Sequence, residues 1–474
     1  MSEIAAPPRP HPPSIDALLR EDAAREPLQR YGREAVKEQL RRSIAAGVVE
    51  PQALWRSASD ALAARFAPTL VRAINATGVL LHTNLGRAPL SEEARAAAAE
   101  AAAGYSTVEY DLQTGDRGKR QDHVRSLVRD VFGCEDAIAV NNNASAVMLA
   151  LAAFARGRSV LVSRGELVAI GGSFRIPEIL EASGARLLEV GTTNRTTADD
   201  YRRACVADVA LILTVHPSNY EIRGYTRRPS PAELAALARD VGVPWVHDQG
   251  TGCVAALEEF GVAGEPTVAE CLASGADVVT FSGDKLLSGP QAGILAGRAG
   301  LVARCASHPV ARAVRPDKIT LAALAATLRG WKTGAWRTFP VYRAAAATAA
   351  ELERRGAAIL ERARGDGGAV SGEVVVSQAA FGGGTSPEKL FESRAIALTV
   401  AGSSADQIAA RLRRPPTPSV ATGNGAPASV ATGNGAPPII ARVERGRVLL
   451  DLRSILPEED AHVAAALEAL GRVP

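Results

Sequence analysis

The sequence has little of what marks disulfide-rich, metal-stabilised or membrane proteins. Its five cysteines are scattered, and they form neither a CxxC pair nor a ligand set with neighbouring histidines. No uninterrupted apolar stretch reaches the length of a membrane span, and the proline-rich first residues lack the apolar core of a signal peptide. We therefore expect a reduced, soluble, cytoplasmic protein that has no metal site and no membrane partner.

A charge excess of one sign is also missing. The chain has 54 basic and 51 acidic residues, so its formal net charge is only +3. No overall field therefore indicates a nucleic-acid or membrane binder, and any RNA partner must be recognised by a local surface. With 474 residues, 47% of them apolar, the chain is long enough to bury a sizeable core in more than one domain.

The beginning of the chain changes from a proline-rich tail to a helical pattern. Residues 1–13 contain five prolines and are predicted to be flexible, because proline lacks the N–H that helices and sheet interiors need. Over residues 14–70 apolar side chains recur at helical spacing, which predicts a small helical domain. Its mixed charges are typical of an ordinary solvated helix face.

The rest of the chain predicts a large and a small domain. Within 71–338, short β-rich runs alternate with helical ones, which favours an α/β fold with a mostly parallel central sheet covered by helices. The pattern over 339–474 predicts a small C-terminal α+β domain. Inside it, between 415 and 438, the segment SVATGNGAP occurs twice in tandem and is interpreted as a disordered insertion without catalytic meaning.

Lysine is rare, and one of the six lysines stands in a special place. Lys285 follows the apolar run DVVTF, a predicted strand, and Ser282 lies three residues before it. Because parallel sheets bind ligands at the carboxyl ends of their strands, this lysine is expected to project into a crevice. The alternative is a surface lysine in a loop.

Two further predicted strands end in polar residues that suit a common site. Asp248 follows the run VPWV, and the start of a helix at Asn142, Asn143 and Ala144 follows the run AIAV. A helix start offers free N–H groups to a phosphate, although Asp and Asn are also ordinary helix-capping and turn residues. The strand VALILTV likewise leads to His216 and Asn219, which are candidates to contact a bound ring.

Together these residues are the parts of a pyridoxal 5′-phosphate (PLP) site. Such a site needs a lysine for a Schiff base, an acid beside the pyridine nitrogen, and phosphate donors. We assign these roles to Lys285, to Asp248, and to Ser282 with the helix start. Arg87, Arg312 and Arg315 are candidates for holding an anionic co-substrate, because guanidinium groups bind oxyanions in a bidentate way, but each is alternatively a surface arginine.

Several long sequence runs carry a specific resemblance. The chain is similar to bacterial L-seryl-tRNA(Sec) selenium transferases, the selenocysteine synthases, in the runs INATGVLLHTNLGRAPL, GYSTVEYDLQTGDRGKR, EVGTTNRT, HPSNYEIRGYT, HDQGTG and SGDKLLSGPQAGILAGR. The resemblance extends from the segment PPSIDALLR to the C-terminal domain. It implies the fold of the large PLP-dependent aminotransferase group, with the PLP lysine of the SGDK run at Lys285.

The resemblance also implies an activity and its partners. Seryl-tRNA(Sec) would be converted to selenocysteinyl-tRNA(Sec) with selenophosphate, through a PLP aldimine and a dehydroalanyl-tRNA intermediate. The N-terminal helices would grip the tRNA, which reverses the interpretation of their charges as a plain solvated face, and Arg87, Arg312 and Arg315 would form the selenium-donor site. A homo-oligomer, a decameric ring of dimers, is implied as well.

Two other classes of protein stay open at this point. A PLP-dependent lyase or transaminase for a small amino acid or amino sugar would share the core but would not bind tRNA. A non-catalytic RNA-binding protein with a decayed PLP fold is disfavoured by the intact set of Ser282, Lys285 and Asp248.

Overall fold

The computed structural model describes residues 13–170, 174–364, 370–382, 384–385, 390–414 and 436–471. Most of the predicted tail and of the predicted insertion, namely 1–12 and 415–435, lies outside the described residues. The chain divides into two compact units. The first comprises Met1–Arg72 together with Pro416–Pro437, and the second comprises Ala73–Pro415 and Pro438–Pro474.

The described part of the first unit is helical, as the apolar spacing predicts. Val36 and Leu40 are fully buried one helical turn apart, and Leu54 and Leu62 are buried from a neighbouring helix. The Glu50 side chain caps that helix by accepting from the first free N–H groups. The helices are α1 (Ile15–Leu18), α2 (Arg25–Tyr31), α3 (Arg33–Ala45) and α4 (Pro51–Phe66), with a 3₁₀ turn at Asp22–Ala24.

The second unit is built on two main sheets. Its strands are β1 (Ile74–Ala76), β2 (Asp136–Val140), β3 (Ser159–Ser163), β4 (Ala169–Ile170), β5 (Phe174–Arg175), β6 (Arg186–Val190), β7 (Val209–Val215), β8 (Trp245–Gly250), β9 (Val278–Ser282), β10 (Gly293–Gly297), β11 (Val370–Ala380), β12 (Leu390–Val400), β13 (Ile439–Glu444) and β14 (Arg447–Asp451).

Helices connect and cover these strands. They are α5 (Glu92–Ala103), α6 (Asp122–Phe132), α7 (Asn143–Ala155), α8 (Ile176–Ser183), α9 (Ala198–Ala204), α10 (Pro231–Val241), α11 (Val268–Ala273), α12 (Ala299–Ser307), α13 (Pro309–Ala313), α14 (Lys318–Lys332), α15 (Pro340–Ala346), α16 (Ala349–Ala363), α17 (Ala405–Arg413) and α18 (Asp460–Gly471). Short 3₁₀ helices lie at Thr83–Leu85, Arg164–Glu166, Glu258–Phe260, Ala335–Thr338 and Pro457–Glu459.

The larger sheet has the order β2-β10-β9-β8-β7-β3-β6. Of these seven described strands, only β10 runs antiparallel to its neighbours. Successive residues of one strand pack into different apolar clusters, as Val278 and Val279 do, so both faces of the sheet are covered. The predicted fold class, an α/β protein with a mostly parallel central sheet, is confirmed.

The smaller sheet has the order β1-β13-β14-β12-β11 and packs against α16, α17 and α18. Four of its strands come from the predicted C-terminal α+β domain. The fifth, β1, lies before the large sheet in sequence and pairs in parallel with β13. The predicted boundary between the large and the small domain, at 338/339, lies inside the second compact unit and stays a prediction. Within the described residues, no helix combines the length and the apolar character needed to cross a bilayer.

Candidate active site

One cavity lies at the carboxyl ends of the parallel strands. It has a volume of about 380 Å³, and its lining contains every residue predicted to bind the cofactor. The register explains this meeting, because Asp248 on β8 lies opposite both Val215 at the end of β7 and Thr280 on β9. The predicted residues in the lining are Asn142, Asn143, Ala144, His216, Asn219, Asp248, Ser282 and Lys285, and Arg87 joins them.

The loop that carries Lys285 is fixed by hydrogen bonds on both sides. The Leu286 N–H donates to the Thr251 carbonyl over 2.9 Å. The Tyr342 hydroxyl donates to the Leu286 carbonyl over 2.6 Å, and the Trp331 indole donates to the Leu287 carbonyl over 2.8 Å. Because the backbone beyond Lys285 is held by buried aromatic residues, the lysine side chain starts from a rigid base.

Lys285 is buried, with 5% of its surface exposed. Burial, and then the positive charge of Arg87, lower its pKa to about 8, while the carboxylates of Asp248, Asp284 and Glu265 act in the opposite direction. Removing the ammonium group from water disfavours its charged form, so a much larger share of the amine is neutral near pH 7 than for an ordinary lysine. A neutral amine is the nucleophilic form that carbonyl chemistry requires.

Asp248 presents a buried carboxylate to the same cavity. Its Oδ1 accepts from Asn143 Nδ2 at 2.8 Å and from Thr280 Oγ1 at 3.2 Å. Burial raises the pKa of this carboxyl, whereas the two hydrogen bonds and the charge of Lys285 lower it. A carboxylate that is buried away from water is stabilised by a neighbouring positive charge. Asp248 is therefore suited to pair with a protonated ring nitrogen.

The first turn of α7 also lines the cavity. The Asn142 side chain caps this helix by accepting from the Ser145 N–H at 2.8 Å. The first N–H groups of a helix have no partner within it, so this turn suits an anion. Asn143 Oδ1 and Asn219 Oδ1 are buried polar atoms without a hydrogen-bond partner among the described residues, and such orphaned atoms are typical of a ligand site.

A second layer of polar residues supports His216. Its Nε2 lies 3.3 Å from Glu265 Oε2, and Glu265 Oε1 accepts from the Thr251 hydroxyl at 2.7 Å. The backbone N–H of His216 donates to the backbone carbonyl of Asp248 over 2.9 Å, so the backbone of His216 is held against β8. Glu265 was missed by the sequence analysis, because it is far from the motifs and no strand end marks it.

Arg87 reaches the cavity in an ion pair that the sequence analysis also missed. Its Nη1 lies 3.1 and 3.0 Å from the two carboxylate oxygens of Asp284. Asp284 could have been noticed in the sequence, because it directly precedes Lys285. Its pairing with Arg87 could not, because the two residues are 197 positions apart. Gly384 comes from a still more distant segment, and a Cβ there would lie 3.3 Å from Lys285 Nζ.

The structure does not bring Arg312 and Arg315 to this cavity. Both side chains are exposed, and neither lines it. Arg315 instead lies 3.3 Å from Glu109. Their role in binding the selenium donor stays a prediction.

Comparisons with known proteins agree with this geometry. The family model described as L-seryl-tRNA selenium transferase matches residues 73–424, and the model described as selenocysteine synthase N terminal matches residues 13–46. The L-seryl-tRNA(Sec) selenium transferase of Geobacter sulfurreducens is 42% identical over 97% of this chain and 98% of its own. The protein of the same name from Moorella thermoacetica is 48% identical over 83% of this chain and 80% of its own.

A solved structure supports the fold independently. The structure of D-glucosaminate-6-phosphate ammonia-lyase superposes with a TM-score of 0.57 at 22% identity, covering 85% of this chain and 96% of that one. At this identity the likeness concerns the fold alone. The family model and the long alignments carry the assignment, and the chain belongs to the L-seryl-tRNA selenium transferase family.

Proposed function

We propose that the protein converts L-seryl-tRNA(Sec) to L-selenocysteinyl-tRNA(Sec), with PLP as cofactor and selenophosphate as selenium donor. The observation that carries the proposal is the buried Lys285 amine in one cavity with the Asp248 carboxylate, in a chain of this family. In the net reaction, selenium replaces the β-hydroxyl oxygen of the seryl group and phosphate is released.

The residues of the cavity fit PLP. Lys285 would hold the cofactor through its aldehyde, and Asp248 would face the ring nitrogen. Ser282, the capping residue Asn142 and the first α7 residues, Asn143 and Ala144, would receive the phosphate group. The unpartnered Oδ1 atoms of Asn143 and Asn219 give the cavity further polar groups that a bound ligand can satisfy.

PLP, when bound, supplies an electron sink for negative charge at the α-carbon of the substrate. Lys285 then has a second task, because its amine can take the proton from the α-carbon and return it once the β-substituent has been exchanged. Its lowered pKa, about 8, lies close to physiological pH, where an acid–base group exchanges protons most effectively.

The neighbouring side chains orient the bound groups and balance their charges. Asp248 keeps a proton at the ring nitrogen, and Asn143 with Thr280 hold that carboxylate in place. His216, held by Glu265, lines the cavity and would contact the bound ring. Arg87 would bind the phosphate of the selenium donor; Arg312 and Arg315 would join it from surfaces that this chain alone does not bring to the cavity.

The wider organisation forms part of the same proposal. The helical domain 14–70 would grip the tRNA, and a homo-oligomer, a decameric ring of dimers, would let one subunit present the tRNA to another. This assembly would also be the way for Arg312 and Arg315 to reach an active site. We place the protein in the cytoplasm, where charged tRNA is available.

Substitution of Lys285 tests the assignment. In the Lys285→Ala protein we expect no selenocysteinyl-tRNA and no visible absorbance from covalently attached cofactor. Lys332→Ala is the matched control, because Lys332 is an exposed lysine of the same unit that pairs with Asp130 away from the cavity. Normal turnover in Lys285→Ala would refute the role of this lysine.

The lyase or transaminase alternative predicts a different response. Such an enzyme would change its visible spectrum on addition of a free amino acid or amino sugar, and the charged tRNA would have no effect. We expect the reverse, a spectral change with seryl-tRNA(Sec) that free serine does not reproduce.

A further inference from the structure

A second cavity, here called the arginine cavity, opens beside the cofactor cavity. Its volume is about 520 Å³, and its lining includes Arg195, Arg223, Arg227 and Arg228 with Tyr220. Most of these residues belong to the loop between β7 and α10, which follows the motif at His216. The catalytic proposal above uses none of them.

The two cavities meet at one residue. His216 lines both the arginine cavity and the cofactor cavity. A seryl group is joined to the terminal ribose of its tRNA by an ester, so the last nucleotides must lie within a few bonds of Lys285. The last nucleotides of the tRNA must therefore occupy a space directly next to the cofactor cavity.

The charge of the arginine cavity suits a phosphodiester chain. Four arginines line it against a single acidic residue, Glu221, which is bound by Arg223 at 2.8 Å. Among the residues that the structure describes, the carboxylate nearest to Arg227 is that of Glu233, at 4.0 Å. Guanidinium groups bind phosphate oxygens in bidentate geometry, and a local cationic cavity of this kind needs no net charge on the whole protein.

Aromatic side chains suit the bases of a single strand. Arg228 lies over the Tyr220 ring, 6.0 Å from its centroid, and Tyr225 in the same loop is 97% exposed. Proteins hold unpaired nucleotides by stacking bases on tyrosine rings and on arginine planes while cationic groups follow the backbone. The loop therefore offers both kinds of contact.

A further cavity, which shares Arg87 and Asp284 with the cofactor cavity, is a poorer match. The one arginine in its lining, Arg87, is paired with the Asp284 carboxylate and is already assigned to the single phosphate of the selenium donor. A cavity with that balance has no surplus positive charge for a run of phosphates.

We propose that the arginine cavity binds the single-stranded 3′ end of the tRNA and thereby positions the seryl ester at Lys285. This inference rests on the proposed function, since it specifies where the substrate of that function lies. Arg195, Arg227 and Arg228 act as positioning residues that contact the RNA backbone and bases without taking part in the bond changes.

The test compares two RNAs on the holoenzyme. One is full-length tRNA(Sec), and the other is the same tRNA without its single-stranded 3′ nucleotides. Dissociation constants are measured for wild type, Arg195→Gln, Arg227→Gln and Arg228→Gln. Arg239→Gln is the matched control, because Arg239 is an exposed arginine on α10, the helix that follows the loop, and does not line the cavity.

We expect each cavity variant to bind full-length tRNA about tenfold more weakly, which corresponds to the loss of one charge-assisted hydrogen bond. The shortened tRNA should bind wild type and all variants equally well. In selenium transfer, KM for seryl-tRNA(Sec) should rise with kcat nearly unchanged, and the cofactor absorbance should stay as in wild type.

Two results would overturn the inference. Equal weakening for both RNAs would mean that the arginines contact another part of the tRNA, and unchanged binding of both would mean that the cavity holds no RNA. A wild-type protein that binds neither RNA would instead refute the proposed function itself. The two failures are therefore distinguishable.

Discussion

Burial, together with the nearby Arg87 guanidinium, lowers the pKa of Lys285 to about 8 from its ordinary value of 10.5. At about pH 7.5 such an amine is roughly one-quarter neutral, whereas an ordinary lysine is about one-thousandth neutral. Only the neutral amine attacks an aldehyde. Lys285 should therefore take up PLP faster than an ordinary lysine by about two orders of magnitude at this pH.

Cofactor uptake by the apoprotein measures this difference. The rate of appearance of visible absorbance after addition of PLP should rise about tenfold per pH unit at low pH and level off above about pH 8. The sign follows from the lowered pKa, because the neutral form is already dominant above that value. A rate that keeps rising to about pH 10 would refute the lowered pKa and the reasoning from burial.

The Arg87→Gln variant separates the two causes. It removes a positive charge and leaves the Asp284 carboxylate unpaired, and both changes favour the charged amine. The levelling of the uptake rate should therefore move to higher pH, while the part due to burial remains. Arg239→Gln removes an arginine outside the cavity and should leave the profile unchanged. An unchanged profile in Arg87→Gln would show that Arg87 does not influence Lys285.

Three further predictions concern single side chains. Asp248→Asn keeps an acceptor for Asn143 and Thr280, so its unfolding free energy should stay near that of wild type while turnover falls by about 100-fold or more; turnover above about one-tenth would contradict the role of Asp248. Tyr342→Phe leaves the buried Leu286 carbonyl without its donor and should cost about 1–3 kcal/mol in urea unfolding, whereas Tyr105→Phe, at a fully exposed tyrosine, should cost almost nothing. Burial raises the pKa of Glu166 to about 7, so the folded state binds its proton more tightly than the unfolded state, and the stability that this gives is lost as pH rises from about 4.5 through about 7. The unfolding free energy of Glu166→Gln minus that of wild type should therefore be larger at about pH 8 than at about pH 5, by up to about 3 kcal/mol. The same difference at both pH values would contradict the raised pKa.

The parallel sheet explains why so much of the site was predictable. Each of the residues predicted to bind the cofactor lies at or just after the end of a short β-rich run. Parallel strands all end at one edge, so strand ends alone bring Lys285, Asp248 and His216 to one cavity. The rule needs no knowledge of strand order. For the same reason the helix start at Asn142 was recognisable from its position after β2.

Features that depend on close packing or on distant partners were not predictable. The strand β10 reads GILAG, and its glycines hide the strand pattern. The structure shows why glycine stands there, because a Cβ on Gly293 would lie 2.1 Å from the Asn142 carbonyl oxygen. The Arg87–Asp284 pair and the approach of Gly384 to Lys285 likewise join segments whose separation in sequence gives no local signal.

Arg312 and Arg315 illustrate a different limit. The family resemblance selects them together with Arg87, yet in this chain both side chains are exposed and neither lines the cofactor cavity. Sequence similarity can select residues for one reaction without showing whether a single chain brings them to one site. Their test is the same selenium-transfer assay on Arg312→Gln and Arg315→Gln.

The central claim is the exchange of oxygen for selenium on charged tRNA. The most direct measurement incubates the purified holoenzyme with seryl-tRNA(Sec), labelled in its serine, and selenophosphate, then hydrolyses the ester and identifies the released amino acid. Labelled selenocysteine is the predicted result. Recovery of unchanged labelled serine, from a protein whose visible spectrum responds to free amino acids, would contradict it.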